Sequence, residues 1–304
     1  MRLRLGRPDI SAYRDRFDVP PADGGFAVTF LGVSSLLIDG GSSAILTDGY
    51  FSRPSLPRVA FGRIAPDLTR IDEALDRAGV SALAAVIPVH THFDHALDSA
   101  VVARKTGAAL VGGASTVQIG RGHGLPEGRI VRATPGDAQR LGVFEVTLIE
   151  SHHCPPDRYP GEITAPVTPP VRAAAYRCGE AWSIIVRHPG TGRSVLVQGS
   201  AGYVAGSLDG RRADVAYLGV GQLGLQSEQY IETYWNETIR TVGARRAVLT
   251  HWDDFFRPLT RPLRALPYAG DDLDRTMAVL TRLAAADGVE LSFPTVFARE
   301  NPWA

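Results

Sequence analysis

Short apolar runs recur along the first part of the chain, each closed by glycine. Residues 26–31, 35–38 and 44–47 read as three strands, separated by Gly32 and by Gly40 and Gly41. Such closely spaced strands predict an antiparallel meander. A loop rich in Arg and Pro is expected over 48–70. Residues 71–78 have helical spacing and are stopped by Gly79. Residues 84–88 are short and apolar enough to be a buried strand. A helix is expected over 96–106, capped by Gly107, then a strand at 109–111, a helix from Ser115 and a strand near Ile130.

The second half has the same cadence without a clear internal repeat. Residues 144–149 read as a strand. The stretch 154–172 holds six prolines and is expected as a long loop, of the kind that usually carries function or moves. Strands follow near 173–178, 182–187, 194–198 and 215–218. A helix over 228–242 precedes a strand over 246–250 that delivers His251. A helix over 271–286 and a strand over 289–293 close the chain. Strands lead and helices follow in each half. Two sheets with helices outside them would bury these faces, an α/β arrangement.

At 304 residues, 44% hydrophobic and 21% charged, the chain is rich enough in apolar residues to exclude wholesale disorder. Its 32 basic and 32 acidic side chains cancel, which argues against a nucleic-acid binder or a membrane-surface binder. Only Lys105 among the basic residues is lysine. Cys154 and Cys178 cannot form a disulfide framework. No apolar run reaches about 18 residues, the length of a membrane span. The basic start, Met1 to Pro8, has no apolar stretch behind it, so a cytoplasmic protein is expected.

Six of the eight histidines fall in three clusters at strand ends: His90, His92 and His95 with Asp94 between them; His152 and His153; and His251. Imidazole and carboxylate together suit a borderline cation such as zinc. A strand that ends near Pro88 makes 90–95 a loop entering a helix. His90 and His92 can then face one way while Asp94 and His95 face another, so one loop can feed two ions. His123 and His188 stand alone and read as ordinary turn residues.

The run His90-Thr91-His92-Phe93-Asp94-His95 resembles the defining motif of the metallo-β-lactamase-fold metal-dependent hydrolases. A strand ending in His153, one ending at Gly199-Ser200 and one ending in His251 follow in the family's order, so the likeness covers roughly residues 26–255. It implies an αββα sandwich of two mixed β-sheets flanked by helices. It also implies a single hydrolase domain over 25–304, while residues 1–24 read from the sequence as a loosely packed lead-in.

By position, the resemblance assigns His90, His92 and His153 to a first metal, and Asp94, His95 and His251 to a second. His152 competes with His153. The implied cofactor is zinc, as two ions, with manganese or iron as alternatives. Many relatives carry a bridging Asp where this chain has Ser200, so the second site is expected to be the weaker. Asp94 is expected to orient the nucleophile as well as bind metal. Asp48 and Asp253 are candidates to hold ligand imidazoles, whereas Asp254 reads as a turn residue. Tyr50, Arg53 and the 154–172 loop are candidates for the pocket wall.

The implied reaction is attack by a metal-bound hydroxide on an ester, lactone or phosphodiester of a small molecule, as in the lactonase- and phosphodiesterase-like branch. An iron oxygenase of the same fold and a non-catalytic metal-binding module are the alternatives. Gly219-Val220-Gly221-Gln222-Leu223-Gly224 also matches a dinucleotide-binding fingerprint. It comes late in the chain, and the strand after it ends at a candidate ligand, so a tight turn at the site's rim is expected. A serine hydrolase is disfavoured by the lack of a nucleophile-elbow motif. A thiol enzyme could rest only on Cys154.

Overall fold

A computed structural model describes residues 4–304, so the first three positions of the 1–24 lead-in lie outside the described residues. The strands are β1 (Ala27–Phe30), β2 (Leu36–Asp39), β3 (Ala44–Thr47), β4 (Ala85–Ile87), β5 (Ala109–Gly112), β6 (Ile130–Arg132), β7 (Ala138–Leu141), β8 (Phe144–Ser151), β9 (Ala181–His188), β10 (Arg193–Gln198), β11 (Val215–Gly219), β12 (Arg246–Thr250), β13 (Glu290–Ser292) and β14 (Arg299–Glu300). They form two seven-stranded sheets, ordered β14-β1-β2-β3-β4-β5-β6 and β13-β12-β11-β10-β9-β8-β7. Each sheet begins as an antiparallel meander. Each becomes parallel at β3–β6 and β10–β13, where helices join every consecutive pair except β10 and β11.

Successive side chains on a strand point to opposite faces, and here both faces are apolar. On β10, Val195 and Val197 join the core between the sheets with Val146, Ile184 and Tyr217, while Leu196 faces the outer helices. On the other sheet Ile45 and Ile87 point inward, and Leu46 and Val86 pack outward. The outer layers are α1 (Leu56–Phe61), α2 (Leu68–Arg77), α3 (Phe93–Ala96), α4 (Ser99–Thr106) and α5 (Ala114–Gly122) on one side, with α6 (Glu228–Trp235) and α7 (Leu273–Asp287) on the other. This is the αββα sandwich of two mixed sheets. In the lead-in, Phe17 stacks on Phe293, and Ile10 and Tyr13 pack beside it.

Several local expectations are corrected. The 48–70 segment holds α1 and the start of α2. The helix expected over 96–106 breaks before Ser99. Asp98 turns its carboxylate to the backbone N–H groups of Phe51 and Ser52 and to the Ser52 hydroxyl. The strand expected near 173–178 is a single 3-10 turn, Ala173–Ala175, because Cys178 N–H pairs with the Tyr159 carbonyl of the preceding loop. The helix over 228–242 changes to a π turn at Asn236–Arg240. Strands β7 and β14 carry polar sequences with no strand signature and form through their partners, β8 and β1. No helix among the described residues is long and apolar enough to cross a membrane.

Candidate metal centre

The candidate site lies where the C-terminal ends of β3, β4, β8, β10, β11 and β12 meet. Open α/β sheets usually bind ligands at that edge. Beyond β4, Pro88 ends the strand and His92 is the N-cap of α3. The chain therefore turns between His92 and Asp94, and the motif splits into two directions. Two groups of three donors result: His90, His92 and His153; and Asp94, His95 and His251. Within each group the donor atoms lie within 4.8 Å of one another.

In the first group His90 Nε2 lies 3.1 Å from His92 Nδ1. His153 sits beside both, with ring centroids 5.0 and 4.7 Å away. His153 Nδ1 donates to the Cys154 carbonyl at 2.6 Å, so its Nε2 keeps a lone pair. Burial and the neighbouring imidazoles hold His90 well below its ordinary value, and burial with His92 lowers His153 to about 4. Both stay neutral, as a ligand must.

In the second group Asp94 Oδ2 is 3.5 Å from His251 Nε2 and 3.7 Å from His95 Nε2. Burial works against the charge on Asp94, but His95 and the His251 hydrogen bond outweigh it and hold the carboxyl below its usual range. Burial likewise opposes a proton on His251, yet Asp94 raises it. His95 Nδ1 donates to Asp48 Oδ2 at 2.9 Å. Its Nε2 is buried with no hydrogen-bond partner. A buried lone pair facing a carboxylate is unfavourable alone and is what a cation would satisfy. His90 Nε2 and His92 Nδ1 face each other beside His153, and three neutral imidazoles are a donor set that suits the same kind of cation. Both donor sets therefore fit a divalent metal.

Local backbone explains the placement. His251 has φ +57° and its N–H donates to the Val33 carbonyl at 2.6 Å. A Cβ on Gly221 would lie 2.7 Å from His251 Nδ1, so the glycine leaves room for the ring. Gly219 and Gly224 likewise face backbone, of Gly199 and Asp272 respectively. The glycine run is thus a turn packed against the site. Gly202 lies against the backbone of His152 and His153, where any Cβ would meet the His152 carbonyl carbon at 2.5 Å.

The other candidates separate. Asp48 supports His95. Ser200 Oγ accepts from Cys154 N–H at 3.0 Å, bracing the segment that carries His153. His152 is exposed and belongs to neither group. Asp253 makes no hydrogen bond or ion pair to a candidate ligand side chain. It pairs with Arg53 at 2.7 Å and accepts from Val33 N–H at 2.8 Å, anchoring the loop that holds His251. Asp254 pairs with Arg7 and Arg264. Tyr50 and Arg53 are fully buried rather than on an open wall, with Tyr50 against Phe93. Both cysteines are free and buried, and burial raises Cys154 to about 12, which disfavours a thiolate nucleophile. His123 and His188 bond Tyr176 and Thr191, away from the site.

Sequence reasoning missed Ser34, which donates to Asp48 at 2.6 Å, and Asp157, which lies 3.1 Å from His92 Nε2. Only the order of strands links these residues to their partners, and no local pattern marked them.

No family model matches the chain. It is 34% identical over 71 residues to a UPF0173 metal-dependent hydrolase of Chloroflexus aurantiacus, which is 23% of this chain. The chain spans about 29% of that relative's length. Among solved structures it resembles Igni18, a metallo hydrolase from Ignicoccus hospitalis, at 14% identity and TM-score 0.53, covering 90% of this chain and 96% of that one. It also resembles CmlA, a diiron β-hydroxylase from Streptomyces venezuelae, at 12% identity and TM-score 0.56, covering 92% and 55%. Yeast PDE1 matches at 11% identity and TM-score 0.52, covering 91% and 99%. The two sheets, their order and the outer helices are the fold that this chain shares with these structures.

Proposed function

We propose that this chain is a metal-dependent hydrolase that cleaves an ester, lactone or phosphodiester bond in a small molecule. The observation that carries the reading is the pair of adjoining donor sets, with the buried His95 Nε2 that no protein group satisfies. His90, His92 and His153 would hold one divalent ion; Asp94, His95 and His251 would hold the other. Two such ions, when bound, polarise a substrate oxygen and bring the pKa of water towards neutrality.

The chain's own residues do the rest. Asp94 stays ionised, so it can bind a cation and accept a hydrogen bond from an attacking water. Asp48 keeps the His95 proton on Nδ1 and its lone pair on Nε2. The turn at Gly199–Gly202 brings no carboxylate between the donor sets, since Ser200 serves Cys154 N–H. The second ion is therefore proposed to bind more weakly than the first. Zinc suits the histidine-rich sets, with manganese or iron as substitutes. The proposed location is the cytoplasm.

The test loads the protein with zinc or manganese and assays a phosphodiester, a lactone and a β-lactam, with Asp94→Ala as the blank. Hydrolysis that vanishes in the variant supports the reading and selects the bond class. Metal content that stays the same in His90→Ala and His251→Ala sinks the ligand assignment. Full metal content without hydrolysis of any member would move the reading to an iron-dependent oxygenase or a binding module.

A further inference from the structure

We propose that Asp157, on the proline-rich loop, is a positioning residue for His92, a role that rests on the metal-hydrolase reading above. His92 Nε2 faces two groups that can only accept, Asp157 Oδ1 at 3.1 Å and the Tyr159 carbonyl at 3.3 Å. Both belong to the segment between β8 and β9. The proton of a neutral His92 is thus held on Nε2, and the lone pair on Nδ1 points at His90 and the first donor set.

The acceptor is itself held. Tyr159 N–H donates to Asp157 Oδ1 at 2.9 Å, and the Tyr159 carbonyl accepts from Cys178 N–H at 2.8 Å. Cys178 is fastened to the ligand loop in turn. Thr91, between the two candidate ligands, donates its N–H to the Cys178 carbonyl at 2.8 Å and its hydroxyl to the Arg177 carbonyl at 2.6 Å. Gly179 permits this contact, since a Cβ there would meet Thr91 Oγ1 at 2.6 Å. The loop therefore grips the His90–His92 segment at the Thr91 backbone and at the His92 ring. Binding of an ion and order in the loop are then linked in both directions.

His92, Asp157 and Cys178 also lie within 4.8 Å of one another by their donor atoms. They form a rival arrangement in which Asp157 and Cys178 would themselves be ligands. A cobalt-loaded protein separates the two roles. Positioning leaves cysteine off the metal, so no sulfur-to-cobalt charge-transfer absorption is expected. Such a band, lost in Cys178→Ser, would overturn the proposal.

The main experiment measures zinc affinity of the full chain by chelator competition. In Asp157→Ala one of the two ions should bind roughly 10–100-fold more weakly. Asp157→Asn, whose amide oxygen can still accept, should recover part of the loss. The melting temperature of the metal-free protein should stay close to wild type in both. Unchanged zinc affinity in Asp157→Ala would overturn the positioning role while leaving the hydrolase reading intact. Failure of the wild type to bind zinc, manganese or iron would sink that reading and this one together. Should Asp157→Ala not fold, nitrogen NMR of the zinc-loaded wild type decides. A slowly exchanging proton on His92 Nε2 is expected, and a freely exchanging one would overturn the proposal.

Discussion

His95 Nδ1 lies 2.9 Å from Asp48 Oδ2, and the other oxygen of that carboxylate accepts from Val89 N–H at 2.8 Å. One buried side chain at the end of β3 therefore aims an imidazole and pins the start of the loop that carries His90 and His92. Asp48→Ala should strand the Val89 N–H and cost about 1–3 kcal/mol of stability in the metal-free protein. It should also weaken one ion roughly 10–100-fold. Chemical denaturation and chelator competition measure the two effects separately. An unaltered zinc affinity would show that His95 needs no support.

Gly221 leaves space for His251. A methyl group there would sit 2.7 Å from His251 Nδ1 and 3.0 Å from its carbonyl oxygen, too close without a shift of the backbone. Gly221→Ala should cost about 1–3 kcal/mol and reduce the bound metal by up to one ion. Gly128→Ala, where nothing lies within 4 Å, is the control and should change neither. Elemental analysis of the two variants, prepared side by side, checks this.

Ser200 braces rather than binds, because its hydroxyl oxygen accepts from Cys154 N–H. Ser200→Ala should lower stability by roughly 1–2 kcal/mol, through the unpaired buried N–H. Metal content should remain that of the wild type. Loss of an ion in this variant would make the serine a ligand after all.

Glu300, on β14, gives a pH signature independent of metal. Burial raises its carboxyl to about 7, although hydrogen bonds from Thr295 oppose the shift. A folded-state value above the unfolded one means the folded chain holds the proton more tightly. The associated stability is complete below the unfolded value near 4.5 and is lost as pH rises through about 7. The metal-free protein should lose on the order of 2 kcal/mol over that interval. Glu300→Gln should flatten that dependence in denaturation curves taken at successive pH values. An equal slope in wild type and variant would place the titration elsewhere.

The sequence by itself determined the framework. Short continuous apolar runs settled most strands, since a strand between two packed layers must be apolar on both faces, as the adjacent Leu196 and Val197 illustrate. The six candidate ligands were legible because four of them share one short run and the others end apolar strands. The break before Ser99 was not legible, nor were β7 and β14. Asp98 has its partners at Phe51 and Ser52, and the polar strands exist only beside β8 and β1.

What the tertiary structure decided was the orientation of the candidate ligands. His152 and His153 differ by one residue, and the packing of Gly202 and Ser200 against the chain turns one outward and one inward. Asp253 looked like a support for a ligand ring but holds Arg53 and the Val33 loop. Asp157 carried no signal, although the fold sets it 3.1 Å from His92. Periodicity is a local property that burial writes into neighbouring residues. The direction of a lone pair depends on hydrogen-bond partners from distant segments, and only the closed sandwich brings those segments together.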